Sequence, residues 1–343
     1  MKLSIIIPVY NAERYIEQMV SNVIRQISTQ DELILVDDGS LDNSLELCLK
    51  MADSNPCVHV VHQENGGPSK ARNTGISISH GDYVLFLDAD DNVTDDWLSS
   101  IRAYIREYAV DVFCFGYSTV RNDYRGEIDM CPDFALFPDA ESVKQNMSEL
   151  IDSFYFNVVW NKVYKRQMLI QHAIIFDESL YIGEDRKFCL NVISACSSWC
   201  MIPKSLYRYI IQNTSSISMK CDLGRLKQML TVNREYRTVL KMTNLPINVQ
   251  NARYEYEQIK ICTSHLMDLV RSDSKNKYNY CKKLHKKYEV RFNKNHVQQL
   301  YGVQKLTYRI WTSQNTWWLY AYVYLLSIYK YKLKLFKESD RKL

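Results

Sequence analysis

A chain of 343 residues, 46% hydrophobic and 24% charged, is long enough to bury one large or two ordinary cores, which excludes wholesale disorder. The net charge is only +4, but it is unevenly spread: from Arg271 onward there are 17 Lys or Arg against 4 Asp or Glu, and before it 26 against 35. Ten cysteines show no paired C-x-x-C spacing, and CSSWC at Cys196 and Cys200 is a weak zinc signal, so the pattern suits reduced thiols in a cytoplasmic protein.

The opening MKLSIIIPVYNAERY has a brief apolar run, no small-residue cleavage pattern, and Asn11, Glu13 and Arg14 directly after it, so it reads as a first strand and not a signal peptide. Further strands are predicted at ELILVDDGS, VHVVHQE, YVLFLDAD and DVFCFGY. Between the first two, Ile16, Met19, Val20, Val23, Ile24 and Ile27 recur at the spacing of one helix face, with Asn11 placed to cap its start. Trp97, Leu98, Ile101, Tyr104, Ile105 and Tyr108 repeat that spacing after the fourth strand, and both stripes read as core packing. Strands alternating with helices imply a mostly parallel sheet with crossover helices. Past residue 120 the alternation fades, and from about residue 221 the pattern is mainly helical and basic.

Polar clusters follow the predicted strands: PVYN, DDGS, ENGG and DADD. Ligands of such sheets bind beyond the carboxyl ends of the strands, so the four clusters point to one rim. Neither G-x-G-x-x-G nor G-x-x-x-x-G-K-[ST] is present, which disfavours dinucleotide oxidoreductases and P-loop NTPases. Asp88 and Asp90, one residue apart in an extended chain, can point to the same side, and Asp91 adds a third charge. Such a cluster is costly unless it faces water or a cation, and a divalent ion held by one or two carboxylates can take phosphate oxygens at its other positions. As a bare tripeptide DAD also suits a solvated turn; its place after a buried strand favours the metal. Asp37 and Asp38 can accept from a ribose hydroxyl or base N–H, or form an Asp-Gly turn. Gly66 and Gly67 permit close backbone approach, Lys70 and Arg72 suit phosphate, and Tyr10 can stack on a base or simply pack. Glu184 and Asp185 read either as a helix-start acidic pair or as a site for a general base.

SIIIPVYN, ELILVDDGS, ENGGPSKARNTGI, YVLFLDADD and IGEDRKF, in that order, resemble the family-2 glycosyltransferases, inverting sugar-nucleotide enzymes of GT-A fold, over roughly the first 215 residues. The resemblance implies nucleoside contacts at Pro8, Tyr10 and Asp38, with Asn65 and Arg72 adding to base or ribose. It implies a Mn2+ or Mg2+ and diphosphate motif at Asp88 and Asp90 with Asp91 beside it, and a general base at Asp185 with Glu184 its neighbour. Trp160, Asn161, Lys162 and Arg208 resemble segments on the acceptor or diphosphate side. The expected architecture is α/β: a GT-A domain over 1–220, divided into a nucleotide half (1–120) and an acceptor half (121–220), then a basic, mainly helical region over 221–343.

The segment WWLYAYVYLLSIYKYKLKLFK, residues 317–337, is apolar for too short a stretch to span a bilayer. It suits either an anionic membrane surface or a helix packed on the domain or a second subunit; no nucleic-acid motif is present. The expected activity is metal-assisted transfer of a sugar, with inversion, from a UDP-linked donor to a hydroxyl of a glycan or lipid-linked saccharide at the inner face of the cytoplasmic membrane, in the synthesis of a surface polysaccharide (capsule, O-antigen or exopolysaccharide). A nucleotidyltransferase and a non-catalytic sugar-nucleotide or glycan-binding partner are the alternatives.

Overall fold

Seven residues, Leu3–Val9, form β1, and burial on both faces makes it a central strand. The computed structural model describes residues 1–121, 127–153, 155–211, 223–272, 276–289, 293–300, 302–313 and 315–339, and not the side chains of 121, 127, 289, 294, 297, 299 and 330–339. β1 pairs in parallel with β2 (Glu32–Asp37) and β4 (Tyr83–Phe86), and β2 pairs in parallel with β3 (Val58–His62). The helices α1 (Ile16–Ile24), α2 (Ser44–Ser54) and α3 (Pro68–Ile78) cross between them. With β2 and β3 on one side of β1 and β4 on the other, the strand order switches direction at β1. That switch point is where open α/β sheets hold their ligands.

The apolar stripe of α1 is buried at Ile16, Met19, Val20 and Val23, but Asn11 does not cap the helix. It takes a left-handed φ of 48°, and its side-chain oxygen accepts from the Leu41 amide at 2.8 Å, tying the end of β1 to the loop after β2. The reason is distance along the chain: a turn that starts at Ala12 intervenes before the helix begins.

Beyond β4 the chain runs through β5 (Asn92–Val93), α4 (Trp97–Tyr108), β6 (Val112–Arg121), β7 (Glu127–Met130), β8 (Ala135–Phe137), α5 (Ala140–Asp152), β9 (Lys162–Lys165), α6 (Arg166–Gln171), α7 (Glu184–Ala195) and β10 (Trp199–Ile211). The sheet order is β3-β2-β1-β4-β9-β6-β10-β5, with β7 on β6 and β8 on β10. β9 lies antiparallel to both β4 and β6, so the sheet is parallel from β3 to β4 and mixed thereafter. The WNKVYK stretch, expected on the acceptor side, is thus the entry to a central buried strand.

Two compact units result, Met1–Asn213 and Thr214–Leu343. The boundary expected at 220/221, with the end of the SLYRYIIQNTSSIS stretch, falls in 212–222, outside the described residues. The second unit contains α8 (Leu223–Met242), α9 (Ile247–Arg271), α10 (Lys277–Glu289), a short 3-10 helix (Lys294–Gln299), α11 (Gly302–Trp311) and α12 (Thr316–Ser339). Its core gathers Ile259, Cys262, Leu266, Trp311, Leu319 and Val323. The nine described cysteines are all free.

Candidate active site

Backbone and side-chain bonds lash the ends of β1, β2 and β3 together. The Asp38 amide donates to the Val9 carbonyl at 2.8 Å and the Gln63 amide to the Asp37 carbonyl at 2.9 Å. Asp38, expected on the nucleoside, is buried, and its carboxylate accepts from Gln63 Nε2 at 2.6 Å and from the amides of Gly66 and Gly67 at 2.9 and 2.7 Å. Its oxygens hold the NGG loop, three protein donors taking most of the roughly four acceptor positions of a carboxylate. Gly67 makes that possible: it stands at φ 86°, which L side chains rarely adopt, just before α3 begins at Pro68. Tyr10 and Asn65 remain exposed on this rim, with Pro8 half-buried beside them.

α3 carries Arg72 from that loop to the end of β4. The side chain is buried, and its guanidinium forks: Nη2 donates to Asp88 Oδ1 at 2.8 Å and Nη1 to Asp185 Oδ1 at 3.0 Å. Phe176 lies under it, 5.3 Å from the guanidinium carbon to the ring centroid, and stacks in turn on Phe188 of α7. Arg72, expected near base or ribose, therefore joins two carboxylates that are far apart in sequence. Burial alone would lower its pKa, but the charges of Asp185 and Asp88 raise it above the ordinary arginine value.

Asp185 sits in the first turn of α7, whose start is set by Gly183 at φ 80°. Burial raises its carboxyl to about 7; the charge of Arg72 opposes this, while Glu184 and Asp88 reinforce it. Asp90 is likewise raised, first by burial and then by Asp88. Acids outnumber the one guanidinium here, so an anionic diphosphate would meet net negative charge unless a cation accompanied it. Among the described residues no three His, Cys, Asp or Glu converge as a metal cage. Asp88 and Asp90 offer hard oxygen donors from one turn, which fits a Mg2+ or Mn2+ bound through two carboxylates and completed by water or phosphate.

Asp91 departs from that set. It is buried, with Oδ2 accepting from the Tyr207 hydroxyl at 2.7 Å and Oδ1 from the Ile210 amide at 2.8 Å. The Tyr207 hydroxyl also accepts from the Asp88 amide at 3.3 Å, so Asp91 anchors β10 to the DADD turn instead of facing a metal. Burial and the charge of Asp88 push its carboxyl well up, against the bonds from Ile210 and Tyr207.

The WNK stretch is also placed differently from the expectation. Trp160 is buried and stacks on Tyr207 at 4.2 Å and Tyr209 at 5.8 Å between centroids. Asn161 and Lys162 are fully enclosed. The Lys162 ammonium donates to the carbonyls of Tyr155, Phe156 and Val158 at 2.6, 3.0 and 2.6 Å and to Asn161 Oδ1 at 2.8 Å. With four acceptors around it, Lys162 shapes a loop and does not reach a diphosphate. Arg208 alone of the four is exposed, on β10 opposite Asn92 of β5. Tyr207 and Phe176 escape the sequence reading; the alternation in LYRYI puts Tyr207 and Tyr209 on one strand face, but nothing in it points to Asp91.

Residues 4–172 match the family described as Glycosyl transferase family 2. The uncharacterized glycosyltransferase YibD of Escherichia coli is 31% identical over 254 residues, 71% of this chain and 70% of the relative. The uncharacterized glycosyltransferase EpsJ of Bacillus subtilis is 29% identical over 207 residues, and the match spans 60% of each chain. The crystal structure of residues 1–349 of Staphylococcus aureus TarS, a poly(ribitol-phosphate) beta-N-acetylglucosaminyltransferase, in complex with UDP-GlcNAc superposes with a TM-score of 0.70 at 20% identity, covering 94% of this chain and 90% of that one. That likeness shows the fold, a GT-A sheet followed by a helical region. On the sequence match to YibD and the family's own motifs, the chain belongs to glycosyl transferase family 2.

Proposed function

We propose that the protein transfers a sugar from a UDP-linked donor to a hydroxyl of a glycan or lipid-linked saccharide, in one displacement that inverts the anomeric carbon. The observation that carries this reading is the Arg72 fork, which holds Asp88 and Asp185 to one guanidinium at 2.8 and 3.0 Å. A diphosphate-side acid and a candidate base are thus brought together on one guanidinium. Asp185, with its carboxyl near neutrality, is suited to take the proton of the incoming hydroxyl. As that proton leaves, the acceptor oxygen bonds to the anomeric carbon, and the bond from that carbon to the diphosphate oxygen breaks with its electron pair going to the diphosphate. Arg72 keeps Asp185 oriented. In this reading Tyr10, Pro8 and Asn65 contact the nucleoside and Arg208 the acceptor side, and the exposure of Tyr10, Asn65 and Arg208 supports it. A Mg2+ or Mn2+ held by Asp88 and Asp90 would neutralise charge on the departing diphosphate.

The UDP-GlcNAc bound by TarS supports a UDP-sugar donor, and the name of that enzyme, a transferase to poly(ribitol-phosphate), supports a polymer as acceptor. A calorimetric screen of nucleotide sugars with and without Mn2+ identifies base, sugar and metal dependence together. In a transfer assay with the donor so identified, Asp185→Asn is expected to lower turnover by about 10²- to 10⁴-fold while UDP affinity, read by calorimetry, stays within about twofold. Unchanged turnover would remove Asp185 as the base.

A further inference from the structure

α12 has two faces of different fate. Leu319 and Val323 are fully buried in the core of the second unit, with Ser327 below them. On the rest of the helix Trp317, Trp318, Leu325 and Tyr329 are each more than 60% exposed. Trp318, Leu325 and Tyr329 recur at the seven- and four-residue spacing of one helical stripe, so the exposed apolar surface is continuous along the axis. The start of the helix is fixed by Asn315, whose side-chain oxygen accepts from the amides of Trp317 and Trp318. A solvated helix has no use for such a stripe, and soluble surfaces seldom carry one unless something covers it.

The charge beside the stripe says what the cover is. Tyr278 of α10 stacks on Trp317 at 4.3 Å, and in the following turns of α10 Lys282, Lys283, Lys286 and Lys287 are all exposed. From Arg271 on, the chain holds 17 Lys or Arg against 4 Asp or Glu, including Lys330, Lys332, Lys334 and Lys337 on α12 itself. A second copy would bring the same excess of positive charge to the contact and repel it. Among the described residues no helix is long and apolar enough to cross a membrane. Trp and Tyr beside Lys favour the boundary between lipid headgroups and acyl chains, where rings lie among the tails and ammonium groups meet phosphate.

We propose that the outer face of α12, flanked by the lysines of α10, docks the protein on an anionic lipid surface without spanning it. The test is flotation of the full chain with vesicles of phosphatidylcholine alone and of phosphatidylcholine containing about a third phosphatidylglycerol, with tryptophan emission read in parallel. Binding is expected only to the anionic vesicles, with a blue shift of the emission and loss of binding as salt rises. The triple variant Trp318→Ser, Leu325→Ser, Tyr329→Ser and the quadruple variant Lys282→Gln, Lys283→Gln, Lys286→Gln, Lys287→Gln should each bind those vesicles at least tenfold more weakly. Each should keep its affinity for UDP, which reports that the first unit is folded. Equal binding to both vesicle types, undiminished binding by the triple variant, or a concentration-dependent dimer that the triple variant abolishes would each overturn the proposal.

Discussion

Two buried cations in the first unit have opposite surroundings. Arg72 faces carboxylates, Asp88 and Asp185, whose side chains keep about a quarter of their surface open, at 29% and 24%. Lys162 faces neutral oxygens, three carbonyls and one amide, with no solvent access. A cation ringed by carbonyls is satisfied and has nothing left to offer, so it fixes a shape. A cation outnumbered by acids leaves charge unbalanced at an opening, and that imbalance can receive an ion, a proton or a substrate. Burial of a charged group is therefore a poor guide to its role; the sign and access of its partners decide.

Lys162→Met breaks the structural side of this contrast. It leaves the carbonyls of Tyr155, Phe156 and Val158 without their donor and is expected to destabilise the first unit by about 4 kcal/mol, measured by denaturant unfolding. Arg72→Lys attacks the other side: an ammonium cannot span two carboxylates as a planar fork does, so transfer should fall about a hundredfold while stability changes by less than about 2 kcal/mol. If Arg72→Lys unfolded the protein and Lys162→Met left it intact, the contrast would be reversed.

The smallest effect sharpens it. With the Asp185 carboxyl near 7, kcat/KM should climb with pH through that region, since only the deprotonated form accepts a proton. Glu184→Gln removes a charge that raises Asp185, so the rising limb should move to lower pH by a fraction of a unit, seen in a pH profile. The stability sign is the opposite one. The folded chain holds the Asp185 proton more tightly than an unfolded carboxyl does, so the group's contribution is full below the ordinary carboxylate range and is lost as pH rises through about 7.

Asp88 is legible in the sequence because a strand buried on both faces leaves an unbroken apolar run, and a charge ending such a run must lie at a rim. Asp91 stands in the same run of letters, yet its partners are Tyr207 and Ile210, 116 and 119 residues later, and no local pattern separates it from its neighbours. The four residues of β9 carry a lysine at each end and no clean period, so the strand is defined by the edges of β4 and β6 between which it fits. The same insertion hides Lys162: polar residues at the start of a short segment look like a surface until the sheet closes around them. Gly66 and Gly67 announce close backbone approach, but to Asp38 as the structure has it, and composition alone does not tell protein carboxylate from bound phosphate.

The place of β9 governs how the chain can be made. β4 and β6 are both complete by residue 121, yet neither pairs with the other, and each keeps a row of open amides and carbonyls until residues 162–165 leave the ribosome. Bare edges of that kind recruit other chains. A nascent or truncated product that stops short of Lys162 would therefore carry both borders and no buried ammonium to hold its loop, and the far edge of β6 stays bare for longer, until β10 at residues 199–211 pairs along it, so aggregation competes with folding through this whole stretch of synthesis.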